Sequence, residues 1–127
     1  MAKKPRSLTK AELRVMNALW KLGRGTVSDV LDALPPPACA YTTVLTILRI
    51  LEQKGVVRRE AEGRAHAYIP AIERDAVARN AVADIVQSFF QNSKSALALR
   101  LMEESRPSED EIASLKALIA RFEEPKP

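Results

Sequence analysis

The stretch AYTTVLTILRILEQKG, residues 40–55, has two contrasting faces if it forms a helix. Its apolar residues recur at i, i+3, i+4 and i+7, the spacing of one buried helical stripe: Val44, Ile47, Leu48 and Leu51. The opposite face is polar and carries no acid; it consists of Thr42, Thr43, Thr46, Arg49 and Gln53. Threonine is a mediocre helix former. These threonines are therefore either surface filler or the part of the helix that touches a partner.

Two further helices are predicted before this one. Thr9 and Glu12 have the spacing of a capping box, and the helix that they begin should run to about Leu22. Its predicted buried residues are Leu13, Met16, Leu19 and Trp20. Thr26 begins the second helix, with Asp29 as a weaker capping partner, and three prolines at residues 35–37 end it.

A β-hairpin should follow the third helix. Apolar residues at 56–57 and 67–69 flank the turn Glu62-Gly63-Arg64, in which Gly63 takes the positive φ. Beyond Pro70, the apolar pattern predicts one long helix over residues 73–91 and two shorter ones, the last beginning at a capping box of Ser108 and Glu111.

Three helices followed by a basic hairpin are the element order of a winged helix-turn-helix, a mainly α fold. We therefore expect a winged-helix DNA-binding domain over residues 1–72 and a helical region over residues 73–127. In this fold the third helix enters the major groove and the hairpin contacts phosphates or the minor groove. The predicted DNA contacts are Thr42, Thr43, Leu45, Thr46 and Arg49 on the helix and Arg58, Arg59 and Arg64 on the hairpin.

The charge distribution agrees with this division. Residues 1–72 hold 12 Lys and Arg against 6 Asp and Glu, whereas residues 73–127 hold 8 against 10. A basic first half is typical of an anion-binding module, although unevenness of this size also occurs in proteins that bind nothing. A winged-helix module that binds another protein and no DNA is the alternative function.

The second region is unusually apolar for its length. A second copy of the chain would cover its apolar surface, which indicates a two-fold homodimer; the alternative is that these helices pack back on the first domain. The predicted dimerisation residues are Val86, Phe89, Phe90, Leu97, Leu101, Ile112, Leu115, Ile119 and Phe122.

Nothing in the sequence predicts an enzyme, a cofactor or a metal site. His66 has no Cys or His near it in sequence, and no nucleophile stands in a pattern with a base. Cys39, the one cysteine, is expected to be a buried structural thiol and fits a reducing cytosol. The sequence has no signal peptide and no run of about 20 apolar residues, so we expect a cytoplasmic protein without membrane insertion.

Three segments resemble the winged-helix half of the penicillinase and methicillin-resistance repressors, the BlaI/MecI family: LTKAELRVMNALW (8–20), YTTVLTILRILEQKGVVRRE (41–60) and GRAHAYIP (63–70). The resemblance implies a homodimeric repressor on a pseudo-palindromic operator upstream of β-lactam-resistance or stress genes. It also implies release when a membrane-bound sensor protease leads to cleavage in the C-terminal part. The best-known members have an Asn–Phe bond there, where this chain has Arg100-Leu101.

Overall fold

A computed structural model describes residues 7–125, so the first six and last two residues of the two predicted domains lie outside the described part. It contains six helices and one two-stranded antiparallel sheet in the predicted order. Their bounds are α1 Lys10–Leu22, α2 Val27–Ala33, α3 Tyr41–Gln53, β1 Val57–Glu62, β2 Ala65–Pro70, α4 Arg74–Phe90, α5 Lys94–Glu104 and α6 Glu109–Glu123.

The predicted capping boxes are present. Thr9 caps α1 with Glu12, Thr26 caps α2 with Asp29, and in each the side chain of the acid accepts the N–H of the cap residue. Because these bonds satisfy amides that have no partner within the helix, the local sequence determines where α1 and α2 begin.

The core lies between α1, α2, α3 and the hairpin. It includes Met16, Leu19, Val30, Val44, Leu48 and Leu51, none of which is measurably exposed. Ile47 is only half-buried but packs against this cluster, so the predicted apolar stripe of α3 faces the core. Its polar face is thereby left on the outside.

The predicted buried face of α1 needs a correction. Leu13 is 38% exposed and Trp20 is half-buried, with its indole N–H donating to the carbonyl oxygen of Ile72 at 2.9 Å. Val15 and Glu12 are buried instead. The inward face of α1 therefore includes Glu12, whose buried carboxylate pairs with Lys54. Apolar periodicity does not predict a buried charged residue of this kind.

The hairpin has a two-residue turn. Glu62 pairs with Ala65, which leaves Gly63 and Arg64 at the tip, and Gly63 has a φ of 60° as predicted. A bridge that we did not predict joins Gly25, between α1 and α2, to Tyr68 of β2 through two backbone hydrogen bonds of 2.7 and 3.1 Å. The hairpin is therefore held against the helices along its second strand.

The chain divides into two compact units, one ending at Asp84 and the other beginning at Ile85. The first unit thus continues past residue 72 into α4, where Val77 is buried and shares a cavity with Leu13 and Trp20. The second unit contains the end of α4 with α5 and α6, which begin at Ser93 and Ser108 caps. None of the described helices is long and apolar enough to cross a membrane.

Candidate nucleic-acid interface

The polar face of α3 is fully available on the surface. Thr42, Thr43, Thr46 and Arg49 are all exposed, while Val44, Leu48 and Leu51 on the opposite face are buried. The exposed threonines follow from the buried stripe, because one side of the helix supplies the core and the threonines lie on the other side.

The three threonines differ in what their hydroxyl groups offer. The hydroxyl of Thr46 donates to the backbone carbonyl oxygen of Thr42 at 2.9 Å, so its proton is already used within the helix. The side chains of Thr42 and Thr43 have no hydrogen-bond partner among residues 7–125. These two hydroxyls can both donate and accept, whereas Thr46 offers a lone pair and a methyl group.

The N-terminus of α3 also carries free backbone donors. α1, α2, α5 and α6 each have a side-chain cap at the N-terminus, whereas the N-cap residue of α3 is Ala40, which cannot supply one. No acid lies in its first turn. The first amides of α3 therefore face solvent at the positive end of the helix dipole, an arrangement suited to a phosphate or a base-edge acceptor.

The predicted arginines do not all have the same freedom. The Nε atom of Arg58 lies 3.7 Å from Oε1 of Glu60, and the Nε atom of Arg59 lies 3.6 Å from Oε2 of Glu52 in α3. Arg49 and Arg64 form no ion pair within the described part of the chain. Exposed pairs such as those of Arg58 and Arg59 are weak and exchange readily for a phosphate.

Arg24, which we did not predict, compensates the acids of the hairpin. Its guanidinium group lies 3.9 Å from a carboxylate oxygen of Glu60 and 3.4 Å from one of Glu62. These contacts depend on the Gly25–Tyr68 bridge, which brings the loop between α1 and α2 alongside β2. Because Arg24 is distant from the hairpin in sequence, only the fold could have revealed it.

A groove of about 260 Å³ opens between α3, the start of α2 and the hairpin. Leu45, a predicted DNA contact, lines this groove and is half-buried because it packs against the core. Four basic side chains line the same groove: Arg49, Arg59, Arg64 and His66. His66 is an exposed residue of β2, and its neighbours in this groove depend on the tertiary fold.

Cys39 is half-buried, whereas the sequence predicted a buried thiol. Its Sγ accepts a hydrogen bond from the guanidinium group of Arg14 at 3.0 Å. Arg14 also donates to the carbonyl oxygens of Pro35 and Pro37. It thereby ties α1 to the loop that precedes α3 and positions the N-terminus of the exposed helix.

A model of the penicillinase repressor family matches residues 8–121, which is most of the chain. The chain belongs to the penicillinase repressor family. This family consists of transcriptional repressors and not of enzymes. This chain is therefore a DNA-binding transcriptional repressor with a winged-helix fold. Membership in the family also disfavours the alternative function, a winged-helix module that binds another protein and no DNA.

Individual relatives agree with membership in the penicillinase repressor family. The chain is 34% identical over 115 residues to the transcriptional regulator BlaI of Mycobacterium tuberculosis, covering 88% of this chain and 82% of that one. It is 25% identical over 118 residues to the penicillinase repressor of Bacillus licheniformis, covering 92% of each. The solution structure of the DNA-binding domain of the repressor BlaI matches with a TM-score of 0.50 and 31% identity, covering 60% of this chain and 93% of that chain.

The predicted dimerisation residues of this penicillinase repressor family member lie in a unit without a closed core. No residue from 85 to 125 is buried. Exposure is largest at Phe122, with 81%, and Phe89, with 74%, and it exceeds half at Ile119 and Leu101. Leu115 is 38% exposed. The other four are half-buried: Val86, Phe90, Leu97 and Ile112.

Proposed function

We propose that this repressor reads its operator with α3 in the major groove and holds the DNA backbone with the hairpin. The observation that carries the proposal is the exposed polar face of α3, with two uncommitted hydroxyls at Thr42 and Thr43 and an unpaired Arg49. Such groups match the donors and acceptors that base edges present in the major groove. Thr46 contributes an accepting oxygen, and Leu45 an apolar contact to a thymine methyl group.

The hairpin supplies contacts that do not depend on sequence. Arg64 stands at the tip without an ion pair in the described residues, which suits it to a phosphate or to the minor groove. Arg58 and Arg59 exchange their surface pairs for phosphate contacts when DNA binds. Arg24 supports this role because it offsets the charges of Glu60 and Glu62, which would otherwise repel the duplex.

We further propose that residues 73–127 dimerise the chain, with most of the contact made by the unit that begins at Ile85. Large apolar side chains such as Phe89 and Phe122 stay mostly exposed within one copy. Large apolar side chains left exposed within one copy are typical of a site of protein contact, and burial of Phe in a partner is favourable by about 1.5–3 kcal/mol per side chain. A homodimer also presents two recognition helices to a pseudo-palindromic operator, whose half-sites lie about one helical turn or a multiple of it apart.

The proposal for the regulated genes and the release signal rests on the family relationship. We propose a cytoplasmic repressor of β-lactam-resistance or stress genes, linked indirectly to a membrane sensor protease. The bond Arg100-Leu101 lies inside α5, so a protease that acts there needs this helix to open first. The sequence of this bond supports a trigger that differs from cleavage of an Asn–Phe bond.

Footprinting of the full chain on its own promoter tests the proposed function. The expected result is protection of two inverted half-sites separated by about one helical turn or a multiple of it. Sedimentation of the complex on the whole operator and on one half-site then gives the number of chains bound. Protection without inverted symmetry, or one chain on the whole operator, contradicts the proposed dimer.

A further inference from the structure

The groove between α3, α2 and the hairpin has a lining suited to an anion. The guanidinium groups of Arg49, Arg59 and Arg64 border it together with the imidazole of His66. Three hydroxyl-bearing residues complete the polar lining: Thr26, whose hydroxyl caps α2, Ser28 on α2 and Tyr41 on α3. No Asp or Glu of the described residues belongs to this lining.

The nearby acids already have partners, and one of these partners, Arg59, is itself a residue of the groove. Glu52 pairs with Arg59 at 3.6 Å, and the carboxylate of Asp29 accepts the backbone N–H of Thr26 in the capping box of α2. Glu60 and Glu62 are paired with Arg24. Arg49, Arg64 and His66 have no ion pair or hydrogen bond of their side chains within residues 7–125.

His66 is an exposed residue that lines the groove together with charged and hydroxyl-bearing residues. The charged residues are Arg49 from α3, Arg64 from the turn and Arg59 from β1, which is paired with Glu52. The hydroxyl-bearing residues are Tyr41 from α3, Ser28 from α2 and Thr26, the N-cap of α2. An anion within hydrogen-bond reach of an imidazole favours the imidazolium form.

We propose that this groove holds one backbone phosphate of duplex DNA and that His66 takes up a proton to contact that phosphate. The inference rests on the proposed function, since it assigns regulation to the same interface. Histidine is the side chain that ordinarily changes charge between about pH 5 and 8. Binding of DNA is then coupled to proton uptake, and the affinity rises as the pH falls.

The test measures binding of the full chain to a labelled duplex of random sequence by fluorescence anisotropy, at about pH 5.5 and about pH 7.5 and across a salt series. A random duplex suffices because a phosphate contact does not depend on sequence. For the wild type we expect about threefold to tenfold tighter binding at the lower pH. The plot of log affinity against log salt should also steepen by about 0.9, the value for one additional phosphate contact.

Three variants assign the effect. His66→Gln should bind equally at both pH values with the shallower slope, and His66→Lys should bind equally at both with the steeper slope. Arg79→Gln, which removes an exposed positive charge on α4 outside the groove, should keep the full pH response. A pH response that persists in His66→Gln, or that is absent from the wild type while the duplex still binds, overturns this inference and leaves the proposed function standing. Absence of any salt-dependent binding overturns both.

A second measurement distinguishes DNA from a free phosphorylated ligand. The chain has a single histidine, so the imidazole C2–H resonance reports on His66 without assignment work. We expect the duplex to shift this resonance toward its protonated position at about pH 7. Inorganic phosphate, compared with chloride at equal ionic strength, should have no saturable effect. A saturable response to inorganic phosphate with none to the duplex overturns the assignment to the DNA backbone.

Discussion

The Nζ atom of Lys54 lies 2.7 Å from each carboxylate oxygen of Glu12. Glu12 is the capping-box acid of α1, and Lys54 caps the C-terminus of α3. One nearly buried carboxylate therefore closes the first turn of α1 and anchors the end of α3. The side chain of Glu12 is 6% exposed and that of Lys54 is 25% exposed, so solvent screens this pair only in part.

Replacement Glu12→Gln should lower the free energy of unfolding by about 1–3 kcal/mol, because a glutamine preserves the cap but leaves the Lys54 ammonium without its charged partner. Urea denaturation measures the change. Glu111→Gln is the matched control, since Glu111 makes the same capping box at Ser108 on an exposed helix with no cation bonded to it. Equal stabilities of the two variants would show that the Lys54 contact contributes nothing.

The same pair should make stability depend on acid pH. Burial raises the pKa of the Glu12 carboxyl, but the hydrogen bonds from Lys54 and from the backbone of Thr9 outweigh it and hold the pKa below the ordinary value of 4.5. A carboxyl whose pKa is depressed by folding stabilises the protein above its unfolded-state pKa, and this contribution is lost as the pH falls through the folded value. The free energy of unfolding should therefore fall more steeply below pH 4.5 in the wild type than in Glu12→Gln. Urea midpoints measured between about pH 3 and pH 6 check this, and parallel curves contradict it.

Thr43 and Thr46 should differ in how they affect operator recognition. Thr43→Val removes a free hydroxyl that can donate to a base, so we expect a loss of about 1–3 kcal/mol of discrimination at one base pair. Thr46→Val should cost less, because the proton of that hydroxyl is bonded to the Thr42 carbonyl oxygen. Competition binding with operators substituted one base pair at a time measures both. Equal losses for every operator, specific or not, would count against base contact by Thr43.

Arg64→Gln should weaken binding to all duplexes by a similar factor and reduce the salt slope by about 0.9, since the contact proposed for Arg64 is to a phosphate. Arg58→Gln provides the comparison on the same hairpin. It should change the slope less, because in the free protein Arg58 already shares its charge with Glu60. Salt titrations of both variants on one operator and one unrelated duplex suffice. A sequence-dependent loss in Arg64→Gln would instead indicate base readout.

Phe122→Ser should shift the chain from dimer to monomer without unfolding it, because Phe122 is 81% exposed within one copy and belongs to no core there. Sedimentation equilibrium gives the oligomeric state, and circular dichroism confirms that the helices persist. Lys116→Ala on the same helix is the control and should leave the state unchanged. A wild-type chain that stays monomeric at concentrations of tens of micromolar is incompatible with the proposal.

The local features of this fold were accessible from the sequence because local chemistry determines them. The capping boxes at Thr9 and Thr26, the positive φ of Gly63 and the buried stripe of α3 depend on residues a few positions apart. These features were enough to establish the order of elements and hence the winged helix. The exposure of the predicted threonines then followed from the stripe opposite them.

The features that escaped prediction depend on contacts between distant residues. Glu12 is buried because Lys54 reaches it across the core, and no apolar pattern marks a charged residue as buried. Leu45 turns toward the groove because the hairpin closes over one side of α3. The positions of His66 in the groove and of Arg24 beside Glu60 and Glu62 likewise depend on a distant contact, the pairing of Tyr68 with Gly25.

The interface itself is tested most directly by amide chemical-shift mapping of the full chain on titration with its operator. The largest shifts should fall on the exposed residues of α3 and on residues 58–66 of the hairpin, whereas the buried residues of α3 and residues 94–123 should change little. The exposed set is Thr42, Thr43, Thr46 and Arg49, and the buried set is Val44, Leu48 and Leu51. Shifts concentrated on α5 and α6, with α3 unaffected, would contradict recognition through the polar face of α3.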